Sequence, residues 1–172
     1  ETGCNVICNF RTVDVAMGGQ GTPIAPMGDR TLFGDFKFCL NIGGIANISC
    51  NIDNRMIGFD ICGANMVLNA LASEIDLEYD KDGSIARSGN VNHDLLNELN
   101  AQWYYEKPYP KSIGGGWVTK IFMPVFKKYR MQVEDKLRTA TEHIALQIGK
   151  DIKNIYATEF LTKDESHSIL VS

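Results

Sequence analysis

A carboxylate at the end of an apolar run is the first group in this sequence whose type and position could do chemistry. Asp60 follows the run MIGF and precedes ICGAN, after which the apolar spacing becomes helical. Its oxygens could cap the helix by accepting hydrogen bonds from the backbone N–H groups of the first turn. They could equally serve as a general base held at a cleft. Asn65, which closes the same segment, could order the helix start or contact a ligand.

Two consecutive glycines lie one strand earlier. Gly43 and Gly44 separate the apolar run 36–42 from the run 45–50. One interpretation is a tight hairpin turn, which needs the positive φ that glycine adopts without steric cost. The other is that a turn without side chains lets backbone N–H groups approach a phosphate. The two glycines by themselves leave both interpretations open.

Three polar segments that contain glycine could hold a substrate. The first, residues 9–23, contains Arg11, Asp14 and Gln20. These side chains could form only a solvated charge pair on a flexible loop, or they could hydrogen-bond the hydroxyl groups of a sugar. The segments YDKDG and PKSIG, the second of which contains Lys111, raise the same two interpretations.

Strands and helices must bring these groups together. The hydrophobic pattern predicts an early strand, a three-strand meander, several helices and a final strand. The predicted strands are 5–10, 36–42, 45–50, 56–59 and 168–171, with turns at 43–44 and 53–54. The predicted helices are 64–76, 92–101 with Asn92 as N-cap, 117–129 and 133–154, whereas 17–30 is predicted to be loop. This order indicates a mixed α/β fold.

Composition limits the class of protein. The 172 residues are 44% hydrophobic and 22% charged, as in ordinary soluble domains. The net charge of −4 argues against a nucleic-acid partner, which needs a basic face. The three histidines lie far apart and no CxxC or HxxxH pair occurs, so no protein metal site is predicted. A signal peptide and a membrane-spanning run are not found, so a cytoplasmic protein without a membrane partner is expected.

Taken in order, five segments resemble the anhydro-N-acetylmuramic acid kinase family: NFRTVDVAMGGQGTPIAP, LNIGGIANIS, GFDICGAN, YDKDGSIARSG and PKSIGGGW. The similarity extends over about residues 2–172, and the pair GGQGTP and LNIGGIAN is its most specific part. It implies an incomplete ribonuclease-H-like fold of the actin-like ATPase and sugar-kinase type. Residues 1–34 would end the first lobe and hold a substrate-binding loop. Residues 35–172 would form the second lobe, truncated at its C-terminus.

The resemblance also implies a reaction. Family members convert 1,6-anhydro-N-acetylmuramic acid, a product of cell-wall recycling, to N-acetylmuramic acid 6-phosphate. ATP supplies the phosphoryl group and Mg²⁺ accompanies it. Water opens the anhydro bridge at the anomeric carbon, while the freed O6 attacks the γ-phosphate. The expected partners are therefore the amino sugar and ATP, together with a second copy of the chain in a homodimer.

The same resemblance gives roles to the residues already singled out. Asp60 would be the base that activates water, a role that typically contributes about 10²–10⁴-fold to the rate. The backbone of Gly43 and Gly44 and the side chain of Asn47 would lie near the nucleotide phosphates. The expected substrate-binding residues are Arg11, Asp14, Gln20, Asn65 and Lys111.

The sequence also departs from the family pattern. Asn9 stands where an acid is usual, residues 61–63 read ICG where TGP is usual, and Gly115 and Gly116 stand where an arginine and an acid are usual. The glycine-and-serine phosphate loop that opens family members is missing, as is the GGGA segment that follows the final strand. We therefore expect a central fragment of a kinase, inactive alone. The alternative is a non-catalytic sugar-binding protein or a relic of such a kinase.

Overall fold

The computed structural model describes residues 3, 9–19, 21, 25–52, 55–159 and 168–172. The strands are β1 Phe38–Ile42, β2 Ile45–Ile52, β3 Arg55–Gly63 and β4 Ile169–Val171. The α-helices are α1 Phe10–Ala16, α2 Ala25–Leu32, α3 Asn65–Ala72, α4 Ser84–Ser88, α5 His93–Asn100, α6 Gly115–Trp117, α7 Met123–Lys127 and α8 Val133–Thr158. Shorter 3₁₀ turns and the π-helical stretch Val118–Phe122 connect some of them. The predicted mixed α/β class is confirmed.

The four strands form one sheet in the order β3-β2-β1-β4. The meander β1-β2-β3 is antiparallel, and β4 pairs with β1 in parallel. β3 runs on to Gly63, whereas the sequence predicted an end at Phe59. Asp60 therefore lies inside a strand and not after it. The predicted turn at 53–54 lies outside the described residues.

One face of this sheet is the apolar core. Its alternating side chains are at most 6% exposed: Phe38, Leu40, Ile48, Cys50, Ile52 and Phe59. α8 packs on this face, where the ring of Tyr156 lies 5.3 Å from that of Phe38. Burying a side chain of the size of Phe59 stabilises the fold by about 1.5–3 kcal/mol. The core thus fixes the register of the strands, and with it the side chains of the opposite face.

α8 is longer than the predicted 133–154, and its buried face has a regular spacing. The residues that point into the core recur every three or four positions: Leu137, Ala140, Ile144, Gln147, Asp151 and Ile155. Two of these six are polar, which is unusual for the buried face of a helix. Each of the two has a hydrogen-bonding partner outside α8: Gln147 donates to Asn100, and Asp151 accepts from Lys111.

A further buried polar group on α8 is His143. Its Nδ1 lies 2.7 Å from Asn100 Oδ1, and its Nε2 lies 2.9 Å from the hydroxyl of Tyr105. Because the amide oxygen can only accept, Nδ1 carries the proton and Nε2 accepts from the tyrosine. Burial lowers the pKa of His143 to about 3, so the ring is neutral in the folded protein.

The N-terminal part differs from the sequence prediction. Residues 17–30 were predicted to be loop, but α2 begins at Ala25. Pro26 falls in its first turn, where a missing N–H costs nothing. Asp29 accepts a hydrogen bond of 2.6 Å from the hydroxyl of Ser49, which ties α2 to the polar face of the sheet. The predicted strand 5–10 lies mostly outside the described residues, and α1 begins at Phe10.

The remaining helices follow the sequence closely. α3 with the 3₁₀ turn Ser73–Ile75 occupies the predicted 64–76. Asn92 is the N-cap of α5, and its side chain accepts a 2.9 Å hydrogen bond from the N–H of Leu95. The helical stretch predicted at 117–129 is found over 115–127. Among the described residues, no helix combines the length and apolar character needed to cross a membrane.

Candidate active site

Asp60 is a buried carboxylate held by a neighbouring segment. It is 5% exposed, and its Oδ2 accepts hydrogen bonds from the hydroxyl of Ser112 at 2.9 Å and from the N–H of Ile113 at 2.8 Å. Within the described part of the chain, every hydrogen bond donated to this carboxylate ends on Oδ2. Oδ1 therefore keeps its capacity to accept a proton from a water molecule or a hydroxyl group.

The backbone of Asp60 is held from the same side. Its N–H donates to the carbonyl of Lys111 at 3.0 Å, and its carbonyl accepts from the buried hydroxyl of Tyr104 at 2.7 Å. Among the described strands, β3 lies at one edge of the sheet. These two contacts thus satisfy backbone groups of the edge that pair with no other strand.

The alternative that Asp60 caps α3 is wrong. The N-cap position is Ala64, and no side chain caps this helix. The N–H groups of Ala64 and Met66 donate to the carbonyl of Gly44, and that of Asn65 donates to the carbonyl of Gly43, at 2.9–3.1 Å. The turn between β1 and β2 therefore caps α3 with its own backbone, because those carbonyls reach the first helical turn.

The ladder between β2 and β3 shifts its register beside Asp60. Asn47 lies opposite Asp60, whereas the preceding residue Ala46 lies opposite Cys62. Ile61 is the extra residue of this β-bulge, a feature that turns side chains locally and is frequent beside active sites. Residues directly opposite on two strands share one face of the sheet. Asn47 and Asp60 are therefore neighbours on the polar face.

The two glycines of the hairpin do not have the predicted backbone conformation. Neither Gly43 nor Gly44 has a positive φ, so the expectation that the turn needs glycine for its conformation is wrong. A Cβ atom built on Gly43 would meet nothing closer than 3.6 Å, and one on Gly44 nothing closer than 3.9 Å. Those are ordinary contacts, so internal packing does not require glycine at either position.

Lys111 is buried and paired. Its side chain is 3% exposed, and its ammonium lies 3.1 Å from Oδ2 and 3.3 Å from Oδ1 of Asp151 on α8. Oδ2 is the nearer oxygen, but only Oδ1 lies at an angle suited to a hydrogen bond. Burial raises the pKa of Asp151, and the positive charge of Lys111 opposes that rise. The ammonium is thus held inside the protein.

Asp14 is held by the glycine-rich loop that follows α1. Its Oδ2 accepts a hydrogen bond of 2.7 Å from the N–H of Gly21, and its carbonyl accepts one of 2.8 Å from Gly19. A Cβ atom on Gly19 would lie 2.1 Å from the same carboxylate, so a larger residue there would displace the side chain of Asp14. Arg11 is exposed on the same helix, whereas Gln20 lies outside the described residues.

The predicted site residues fall into two groups, one at the hairpin between β1 and β2 and one in a separate cleft. Asn65 joins the hairpin, because its side-chain amide donates to the carbonyl of Ile42 at 3.0 Å. Asp14 instead lines a cleft of about 1410 Å³ between the N-terminal helices, the start of β3, residues 105–110 and α8. Asp151 also lines this cleft, but Asp60 does not.

The donor groups around Asp60 do not form a metal cage. In the described ranges, no group of three or more histidine, cysteine or acidic side chains could hold an ion. Mg²⁺ in phosphoryl-transfer sites takes most of its ligands from phosphates and water, with one or two carboxylates from the protein. The single carboxylate of Asp60 is compatible with an ion that takes its other ligands from phosphates and water.

Sequence reasoning missed the residues that orient Asp60. Ser112 and Ile113 reach it from a loop more than fifty positions later, and no local pattern predicts that contact. Asp151 did carry a signal, because it stands on the buried stripe of α8 where an apolar residue is expected. An acid in that stripe indicates a buried cationic partner.

Comparison with known proteins identifies the family. The family model described as anhydro-N-acetylmuramic acid kinase matches residues 1–162. The protein of that name from Aliivibrio fischeri is 44% identical over 119 residues, which is 66% of this chain and 32% of the relative. The one from Shewanella sp. (strain MR-7) is 43% identical over 120 residues, with the same two coverages. The one from Clostridioides difficile is 34% identical over 165 residues, 90% of this chain and 43% of the relative.

The chain thus spans about a third to two fifths of the length of these curated relatives. The family match nevertheless covers almost all of it, and it includes every segment on which the resemblance rests. This chain belongs to the anhydro-N-acetylmuramic acid kinase family.

Proposed function

We propose that this chain supplies the general base and a phosphate-facing turn of a kinase that acts on 1,6-anhydro-N-acetylmuramic acid. The observation that carries the proposal is the carboxylate of Asp60, which is buried and hydrogen-bonded on Oδ2 only. This arrangement suits a general base, because one oxygen is held in place while the other is available to accept a proton. The family name of the relatives supplies the substrate.

The proposed reaction opens and phosphorylates the sugar together. Asp60 Oδ1 accepts a proton from water as the water oxygen forms a bond to C1 of the sugar. The bond between C1 and O6 breaks, and O6 forms a bond to the γ-phosphorus of ATP. ADP leaves with the electrons of the broken phosphoanhydride bond. Because the enzyme supplies the base and ATP supplies the phosphoryl group, the products are N-acetylmuramic acid 6-phosphate and ADP.

The hairpin between β1 and β2 is the proposed phosphate contact. Gly43 and Gly44 have no internal reason to lack side chains, so close approach by an outside group is a physical reason for glycine there. Asn47 would add an amide donor next to Asp60. Mg²⁺ bound to the nucleotide would neutralise charge on the transferring group.

The sheet order, with β4 parallel to β1, supports a ribonuclease-H-like lobe over 35–172.

The sugar contacts form a further part of the proposal. Asp14 orders the glycine loop that would hold the sugar, and Arg11, Gln20 and Asn65 are proposed to complete the contacts. Lys111 remains a predicted substrate residue, although its pairing with Asp151 favours another role.

Residues 1–34 would belong to the first lobe. The reaction would run in the cytoplasm, where ATP is present.

The test is product analysis with labelled water. The complete protein encoded by the gene is incubated with the anhydro-sugar and MgATP in H₂¹⁸O, and products are identified by mass spectrometry. The proposal expects N-acetylmuramic acid 6-phosphate with one ¹⁸O at C1. No such product is expected when ATP is omitted. Calorimetric binding of the sugar without any turnover would support the non-catalytic alternative instead. A phosphorylated product that keeps its anhydro bridge would contradict the role of Asp60.

A further inference from the structure

We propose that the buried ion pair between Lys111 and Asp151 positions the carboxylate of Asp60, and that Ser112 sets the orientation of that carboxylate. The inference rests on the proposed role of Asp60 as general base. Lys111, Ser112 and Asp151 are positioning residues in this account, because they act through Asp60 and not on the reacting atoms.

The segment that holds Asp60 has no helix or strand of its own. Residues 108–114 lie between regular elements. Three consecutive residues of this segment nevertheless contact Asp60: Lys111 through its carbonyl, Ser112 through its hydroxyl and Ile113 through its N–H. The direction of the carboxylate therefore depends on whether this short segment stays in place.

The side chain of Lys111 anchors the segment to the core. Its ammonium lies 3.1 Å from Asp151 and within 5.8 Å of the ring centroids of Phe59 and Tyr104. Lys111 is 4% exposed and Asp151 is 5% exposed. Separating two buried charges leaves each without compensation, which is strongly unfavourable. The pair therefore fastens residue 111, and with it residues 112 and 113, to α8.

This role excludes a direct contact between Lys111 and the sugar, because such a contact would draw the ammonium away from Asp151. The two roles predict different kinetics. Loss of a contact made equally in the bound and transition states raises KM, whereas loss of orientation of the base lowers kcat. The split between kcat and KM thus distinguishes them.

The first test removes the hydroxyl that reaches Asp60. In the complete protein, Ser112→Ala is expected to lower kcat about tenfold with little change in the KM for the sugar, since hydrogen bonds to charged groups are the stronger ones. Ser112→Thr keeps the hydroxyl and should restore most of kcat. Ser88→Ala is the matched control, because within the described residues the Ser88 hydroxyl bonds only the nearby carbonyl of Ile85. A kcat for Ser112→Ala equal to that of the control overturns the role of Ser112.

The second test removes the ion pair without leaving a lone charge. The double substitution Lys111→Met with Asp151→Leu replaces both charged groups by apolar ones of similar size, a change that buried pairs often tolerate. We expect a folded protein whose kcat is lowered about tenfold or more. A folded double variant with wild-type kcat, or one with only a raised KM, overturns the positioning role of the pair.

The third measurement does not depend on activity. The amide proton of Ile113 should exchange with solvent about tenfold faster in the double variant than in the wild type, because the segment that carries this N–H is no longer anchored to α8. The amide of Leu99, buried in α5, should be unchanged. Unchanged exchange at Ile113 overturns the proposal. If Asp60→Asn leaves turnover intact, the proposed function fails, but this exchange experiment still decides whether the pair holds the segment.

Discussion

Asn47 and Asp60 face each other across β2 and β3 at the point where the ladder between these strands shifts by one residue. The residue predicted to contact phosphate and the residue predicted to activate water are thus cross-strand neighbours. Because the apolar face of the sheet fixes the register, the core determines this pairing. The positions of these two polar side chains therefore depend on packing at the apolar face of the sheet.

This pairing predicts the effect of a second carboxylate. Asn47→Asp would put two negative charges directly opposite each other, which should lower the free energy of unfolding by about 1 kcal/mol at neutral pH. It should also repel phosphate and raise the KM for ATP. Asn47→Ala is the control, because it removes the amide without adding charge. Equal stabilities of the two variants in urea titrations would show that the two side chains do not interact.

The hairpin glycines predict a separation of stability from binding. Gly44→Ala should change the free energy of unfolding by no more than about 0.5 kcal/mol, because a Cβ atom has room and φ is not positive. The same change should weaken ATP binding if the nucleotide approaches the turn closely. Gly89→Ala gives the contrast, since its Cβ atom would lie 2.2 Å from the carbonyl oxygen of Glu134. Urea titration and calorimetry with ATP measure the two quantities. Unchanged ATP affinity in Gly44→Ala would remove the turn from the phosphate site.

The buried imidazole of His143 predicts a loss of stability in acid. Its pKa falls from 6.5 to about 3 on folding, so below pH 6.5 the unfolded chain binds a proton that the folded chain does not. The stability associated with neutral His143 is present above the unfolded pKa and is lost as the pH falls towards 3. The slope should approach about 1.4 kcal/mol per pH unit.

His143→Gln tests this slope. The variant is expected to be less stable near neutral pH, but its stability should depend less on pH between 6 and about 4. His93→Gln, at an exposed position, should keep the wild-type slope. Urea titrations at several pH values give the comparison. Parallel curves for wild type and His143→Gln would show that another group causes the acid sensitivity.

The sequence predicted those features that depend on local pattern. The alternation of apolar residues gave the meander, and Asn92 gave the start of α5. α2 was missed because Pro26 and Gly28 are poor helix residues, and what supports this helix is the sheet, through Asp29 and Ser49. Tertiary contacts override local preference at such positions.

The candidate site was predictable only in part. Asp60 and the two glycines could be singled out from residue type and flanking pattern. The register shift beside Asn47 could not, because a bulge depends on how two strands pack and not on either strand alone. The contact between Ser112 and Asp60 likewise arises only after the chain has folded.

The measurement that tests the central claim most directly is turnover by Asp60→Asn in the complete protein. Asparagine keeps the size of the side chain but cannot accept the proton of the attacking water. We expect kcat to fall by at least about 10²-fold, with the affinity for ATP unchanged by calorimetry. Asp76→Asn, at an exposed position, is the control and should keep full activity. Turnover by Asp60→Asn close to that of the wild type would contradict the assignment of Asp60 as the base.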